Sequence, residues 1–172
     1  MLLVKRLLTY LTAFVVLFGF GIYFGFAQDC KVLREEDLYT RQVRLSSGFF
    51  ELTGASVTVD ADKKEIDLLF SFKTNRCFDD GCTATVYFAG TKSKLLLRNA
   101  GTMNCEGLFH FIFRNGTTVN YQLKKMATTP VSQLVFTDRD QKLISVILDE
   151  SQQRSFMKAL QCVTDEAVKL LQ

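Results

Sequence analysis

The chain has no tryptophan, one proline and one histidine among its 172 residues. Each shortage excludes something. With a single Pro and ten Gly, the chain is neither collagen-like nor a low-complexity segment. With His110 alone, there is one imidazole for general-base work and no His-rich metal tract. Neither charge sign dominates. The formal net charge is +3, and setting aside Lys5 and Arg6 leaves 19 basic against 18 acidic residues. That balance gives no electrostatic reason to expect nucleic acid as a partner. The sequence also has no phosphate-cradling Gly loop and no Ser nucleophile elbow.

What is abundant is phenylalanine, with sixteen residues. Several fall in the N-terminal stretch. After Lys5 and Arg6, no charge occurs from Leu7 to Gln28. A basic pair, an apolar run and the small-x-small triplet Gly25-Phe26-Ala27 read as a signal peptide over residues 1–27, cleaved between Ala27 and Gln28. The run is also long enough to cross a bilayer uncleaved, which takes about 20 helical residues. Either way the remainder, residues 28–172, is expected outside the cytoplasm as a single β-rich domain, secreted, periplasmic or on the cell surface. Membrane contact is expected only through the N-terminal segment, and only if it stays uncleaved.

All five cysteines follow that segment: Cys30, Cys77, Cys82, Cys105 and Cys162. In an exported chain they imply disulfides, with one thiol left over. The loops after Phe72 and after Arg98 should gather at one end of a meander, together with Cys77, Cys82 and Cys105. Cys82–Cys105 is expected, with Cys77 the odd one; Cys77–Cys105 is nearly as good. Exclusion leaves Cys30–Cys162, which would fasten the N-terminal segment to the last helix. A zinc site is disfavoured, because Cys77 and Cys82 have four residues between them and His110 sits on a strand. No cofactor is implied.

Period-2 alternation marks the strands. Ala55–Asp60 and Glu65–Phe72 come first, around a polar turn. Thr83–Ala89, Lys94–Arg98, Leu108–Arg114, Val119–Leu123, Val131–Thr137 and Lys142–Leu148 follow, giving eight. Gln28–Leu45 has no clear pattern, and Arg34–Thr40 reads as a possible helical turn. The Phe109/Phe111/Phe113 and Val119/Tyr121/Leu123 runs flank Asn115-Gly116 and predict a hairpin. A three-residue loop would set Phe111 opposite Val119 and Phe109 opposite Tyr121. From Asp149 the period changes. Asp149 and Gln152 form a weak capping box, and Phe156, Leu160, Val163, Ala167 and Leu170 make one helical stripe. The expected fold is all-β or β-rich α+β: an antiparallel eight-strand meander, a bent sheet or barrel, with one C-terminal helix packed on it.

An eight-strand meander followed by a helix resembles the lipocalin arrangement. The family's Gly-x-Trp motif is missing, since there is no Trp, so no functional residue carries over.

No catalytic set assembles from the sequence. His110 should face away from the three Phe, across from Asn120. A Cys–His pair would need Cys105, expected to be oxidised. Asp60, Asp62 and Asp67 lack the Gly and terminal Glu of a calcium loop. Asp79, Asp80, Asp138 and Asp140 are turn residues. Asn115-Gly116-Thr117 matches an N-glycosylation acceptor. The expected function is a non-enzymatic binding or surface-scaffold module, partnered by a protein or cell-surface component. A lipocalin-like carrier of a small apolar ligand is the alternative, and a secreted hydrolase comes third. Against the carrier, the inward residues Val57, Ile66, Leu68, Phe70, Phe72, Val86, Phe88, Phe109, Phe111, Phe113, Val119, Tyr121, Leu134, Phe136, Ile144 and Val146 are bulky enough to fill the interior.

Overall fold

A computed structural model describes residues 31–172. The Ala27–Gln28 cleavage and Cys30 lie outside the described residues. Ten strands and two helices follow in the order β1 (Leu33–Glu36), β2 (Val43–Ser46), β3 (Phe50–Leu52), β4 (Ala55–Ala61), β5 (Glu65–Ser71), β6 (Thr83–Phe88), β7 (Lys94–Arg98), β8 (Leu108–Arg114), α1 (Tyr121–Thr128), β9 (Val131–Thr137), β10 (Leu143–Ile147) and α2 (Glu150–Lys169). The first sheet runs β1-β2-β4-β5-β8, with β3 also on β4; the second runs β10-β9-β6-β7. Every pairing is antiparallel. The fold is therefore β-rich, in two antiparallel sheets with a C-terminal helix, and it does not close into a barrel.

Alternation explains the core. Val57 and Val59 of β4, Ile66, Leu68 and Phe70 of β5, and Phe109, Phe111 and Phe113 of β8 all turn inward and are buried. Phe136 of β9 comes from the second sheet to meet them. Its ring lies 4.9 Å from Phe72, 5.0 Å from Phe109 and 5.1 Å from Phe70, centroid to centroid. These are edge-on and tilted aromatic contacts, which add to simple area burial. The space between the sheets is filled by rings.

α2 covers the part of the first sheet that the second sheet leaves, packing on β2 and β4. The expected capping box forms: Asp149 Oδ1 accepts from the Gln152 N–H at 2.8 Å, and Gln152 Oε1 accepts from the Asp149 N–H at 3.2 Å. Phe156, Leu160, Val163 and Ala167 are buried, and Phe156 sits 6.2 Å from the Phe70 ring. Among the described residues no helix is long and apolar enough to cross a membrane.

Four expectations are corrected. Residues 115–124 form no hairpin with β8. Instead β8 pairs with β5, setting Phe111 opposite Leu68 and Phe109 opposite Phe70, and Tyr121–Thr128 is a helix. The cause is local. Asn120 Oδ1 accepts from the Gln122 and Leu123 N–H groups, capping α1, and Leu123, Met126 and Ala127 bury one helical face. Tyr121, expected inside, is 68% exposed, while Val119 and Ile144 are only partly buried. The segment 34–40 begins as strand, not helix: β1 pairs with β2 along the whole of Leu33–Glu36. Eight strands become ten because β1, β2 and β3 are added and Val119–Leu123 is lost.

Candidate functional site

The cysteines come first, because they fix one end of the molecule. Cys77 bonds to Cys105, and among the described residues Cys82 is the free thiol. The expected Cys82–Cys105 pairing, with Cys77 odd, is thus corrected. Phe78 decides the matter. It is buried against Phe72 and Phe109, with ring centroids 5.7 and 5.4 Å away. Its backbone exchanges two hydrogen bonds with Asn104, at 2.8 and 3.0 Å. That bridge sets residues 77 and 105 side by side. Cys82 is held in a turn instead, its Sγ 3.3 Å from Asp79 Oδ1. Burial chiefly raises the Cys82 thiol pKa; an Asp79 backbone N–H opposes the shift, and the Asp79 side-chain hydrogen bond and the Asp79 and Asp138 charges add to it. Cys162, on α2, is disulfide-bonded, and its expected partner Cys30 lies outside the described residues.

His110 lies across from Leu69, not Asn120, on the outer face of the first sheet. Its Nδ1 is 2.8 Å from Asp67 Oδ2, a diagonal pair on neighbouring strands. The Asp67 hydrogen bond raises the His110 pKa, burial opposes this, and the Asp67 charge adds to it. The loop after β7 covers the pair. Ala100 N–H donates to His110 O at 3.0 Å, and a Cβ on Gly101 would stand 2.7 Å from His110 Cδ2. Cys105 is oxidised, so no Cys–His nucleophile forms with this imidazole.

The carboxylates singled out in the sequence are dispersed among separate partners. Asp60 meets Arg44 at 2.9 Å, and Asp62 Oδ1 accepts from the Lys64 and Glu65 N–H groups in the β4–β5 turn. Buried Asp138 pairs with Arg76 at 3.2 Å and accepts from the Lys142 N–H. Among the described residues no group of His, Cys, Asp or Glu is arranged to hold a metal ion.

Asn115 departs most from its sequence appearance. It is 5% exposed. Its Nδ2 donates to Asp62 O at 2.9 Å and to Ala167 O at 2.8 Å, and its backbone N–H donates to Lys64 O. Both amide hydrogens are engaged, so the folded chain offers no acceptor nitrogen to a glycosyl donor. The residue clamps the end of β8 to the β4–β5 turn and to a last-turn carbonyl of α2.

Two surface features remain. The first is the outer face of the second sheet, which nothing described covers. Its rows are Leu143, Thr137, Thr83 and Arg98; Ser145, Val135, Thr85 and Leu96; Ile147, Gln133, Tyr87 and Lys94. A solvated sheet face ordinarily alternates to polar side chains. Here Leu143, Leu96 and Ile147 are exposed by 62–64%, with Tyr87 and Val135 between them.

The second feature is a split where β7 and β8 part. Asn99 N–H donates to Cys82 O, so the main chain of Lys94, Leu96 and Arg98 points away from β6. Phe72 N–H donates to Gly107 O, so Leu108, His110, Ile112 and Arg114 point away from β5. Asn104, Asn99 and Ala100 take up Leu108 and His110. Beyond them lies an open cleft of about 210 Å³ between the two strands, floored by Asn120 and Gln122.

Comparison of the chain with protein-family models, curated proteins and solved structures finds no match.

Proposed function

We propose that this is a non-enzymatic, extracytoplasmic binding module that docks a partner protein or cell-surface component on the outer face of its second sheet. The observation that carries this is the composition of that face. Exposed Leu143, Ile147, Leu96 and Tyr87 occupy positions that a solvated sheet would give to polar residues. The Cys77–Cys105 bond is compatible with an oxidising compartment, as the export signal expected over residues 1–27 would require. The ring-filled interior favours a surface over an internal cavity as the binding element.

A photo-crosslinking side chain at position 87 tests the proposal in the exported fraction of the host. A discrete adduct is expected, lost on adding Leu143→Asp and Ile147→Asp. A control crosslinker replaces Lys63 in the exposed β4–β5 turn. Equal adducts from both positions would sink the proposal.

A further inference from the structure

We propose that the split between β7 and β8 is a strand-addition site for an extended, acidic segment of the partner. This rests on the binding-module reading and names the partner's chemistry; β7 is also the rim of the uncovered face.

The main chain supplies the affinity. Leu96 and Arg98 on one side and Ile112 and Arg114 on the other turn their N–H and C=O groups into one cleft, and Lys94 continues the same edge of β7. Among the described residues nothing takes up these groups. An extended guest offers matching donors and acceptors, so it adds as a strand. The guest would join the two sheets along their β7 and β8 edges.

Charge selects the guest. β7 carries Lys94 and Arg98 and no carboxylate. Arg114 stands at the far side, and none of these three cations forms an ion pair among the described residues. Glu65, directly across β5 from Arg114, makes none with it. Arg98 and Arg114 alternate with inward Leu97 and Phe113, so both guanidinium groups lie on the outward side. Every second residue of a guest strand points the same way, between two guanidinium groups that suit carboxylates.

The same charges reject a second copy. Antiparallel self-pairing of β7 about Leu96 would set Lys94 opposite Arg98 of the other chain. Like charges directly opposite are destabilising, and lysine on an edge is a standard guard against self-association. The edge is closed to its own kind and open to an acidic strand.

The test uses the full-length protein and a labelled hexapeptide, Glu-Val-Glu-Val-Glu-Val, followed by fluorescence anisotropy at low salt. A lysine-for-glutamate version is the comparison. Saturable one-to-one binding of the acidic peptide is expected, with the lysine version weaker by about tenfold or more. Leu96→Pro removes one outward N–H without touching the β6 ladder, and it should weaken the acidic peptide by about tenfold at an unchanged unfolding midpoint. Should that variant unfold, Arg98→Glu with Arg114→Glu serves instead, and peptide preference should then reverse. Equal binding of the two peptides to the unmutated protein, or no saturable binding, overturns the proposal. So does acidic-peptide binding that a folded Leu96→Pro leaves intact. If position 87 still crosslinks its partner in that event, strand addition alone is lost and the docking face stands.

Discussion

His110 and Asp67 give the molecule a pH dependence whose sign is fixed. The folded pKa of His110 is raised, chiefly by the Asp67 hydrogen bond, so the folded state binds a proton that the unfolded state has released. That stabilisation is complete below the unfolded value of about 6.5 and is lost as pH rises through the folded pKa. The urea midpoint should therefore fall from about pH 6 upward, and Asp67→Asn should flatten the slope. A midpoint in the unmutated chain that rises over this range would contradict the pairing. Cys82 makes a second residue-scale prediction. Its raised pKa and burial should leave it unreactive in the folded, non-reduced protein. Denaturation should release one titratable thiol, absent from Cys82→Ala. The odd cysteine was legible from the count of five, but its identity was not. An isolated Phe beside Cys77 in a polar loop was the available signal, since burying Phe78 is what places Cys77 against Cys105.

At the scale of elements, period 2 was enough wherever one face was buried. β4, β5, β6, β8, β9 and β10 fall within a residue or so of their alternating runs. It misled where two periods coexist. Val119, Tyr121 and Leu123 alternate, but Leu123, Met126 and Ala127 repeat at helical spacing behind an Asn cap, and the helix wins because its stripe is the one that reaches the core. β1 could not be read at all, because all four of its residues are exposed and carry no alternation. Phe111→Ala should cost about 3–5 kcal/mol in chemical denaturation, and Arg114→Ala less than about 1 kcal/mol. Similar losses in both would mean that β8 presents the other face. Asn120→Ala should remove about 1 kcal/mol by uncapping α1.

For the whole molecule, the antiparallel β-rich fold followed from strand count and short links, whereas its division into two sheets did not. Closure needs β7 to pair with β8 and β10 with β1, and neither pairing forms. The lipocalin-like carrier also required a hollow. Instead Phe70, Phe72, Phe109, Phe111 and Phe136 meet between the sheets. An environment-sensitive hydrophobic dye should accordingly show no saturable site in the folded monomer. One dye per chain with cooperative unfolding retained would revive the carrier. The Cys77–Cys105 bond closes a separation of 28 residues between the end of β5 and the start of β8. A Cys77→Ala, Cys105→Ala double variant should be less stable by about 3–4 kcal/mol. Unchanged stability in that variant would mean the Phe78–Asn104 bridge alone holds this end.

Asn115-Gly116 carries a further consequence. Asparagine followed by glycine is chemically perishable: the glycine nitrogen attacks the side-chain carbonyl, ammonia departs to leave a cyclic succinimide, and water opens that ring mainly to isoaspartate. Cyclisation needs the amide to swing onto the backbone. Asn115 cannot do so while its Nδ2 is held by Asp62 O and Ala167 O and its own N–H by Lys64 O. Damage at this position therefore accrues only while the chain is open. The isoaspartate content of an aged sample keeps a cumulative record of that open time, written into the chain itself.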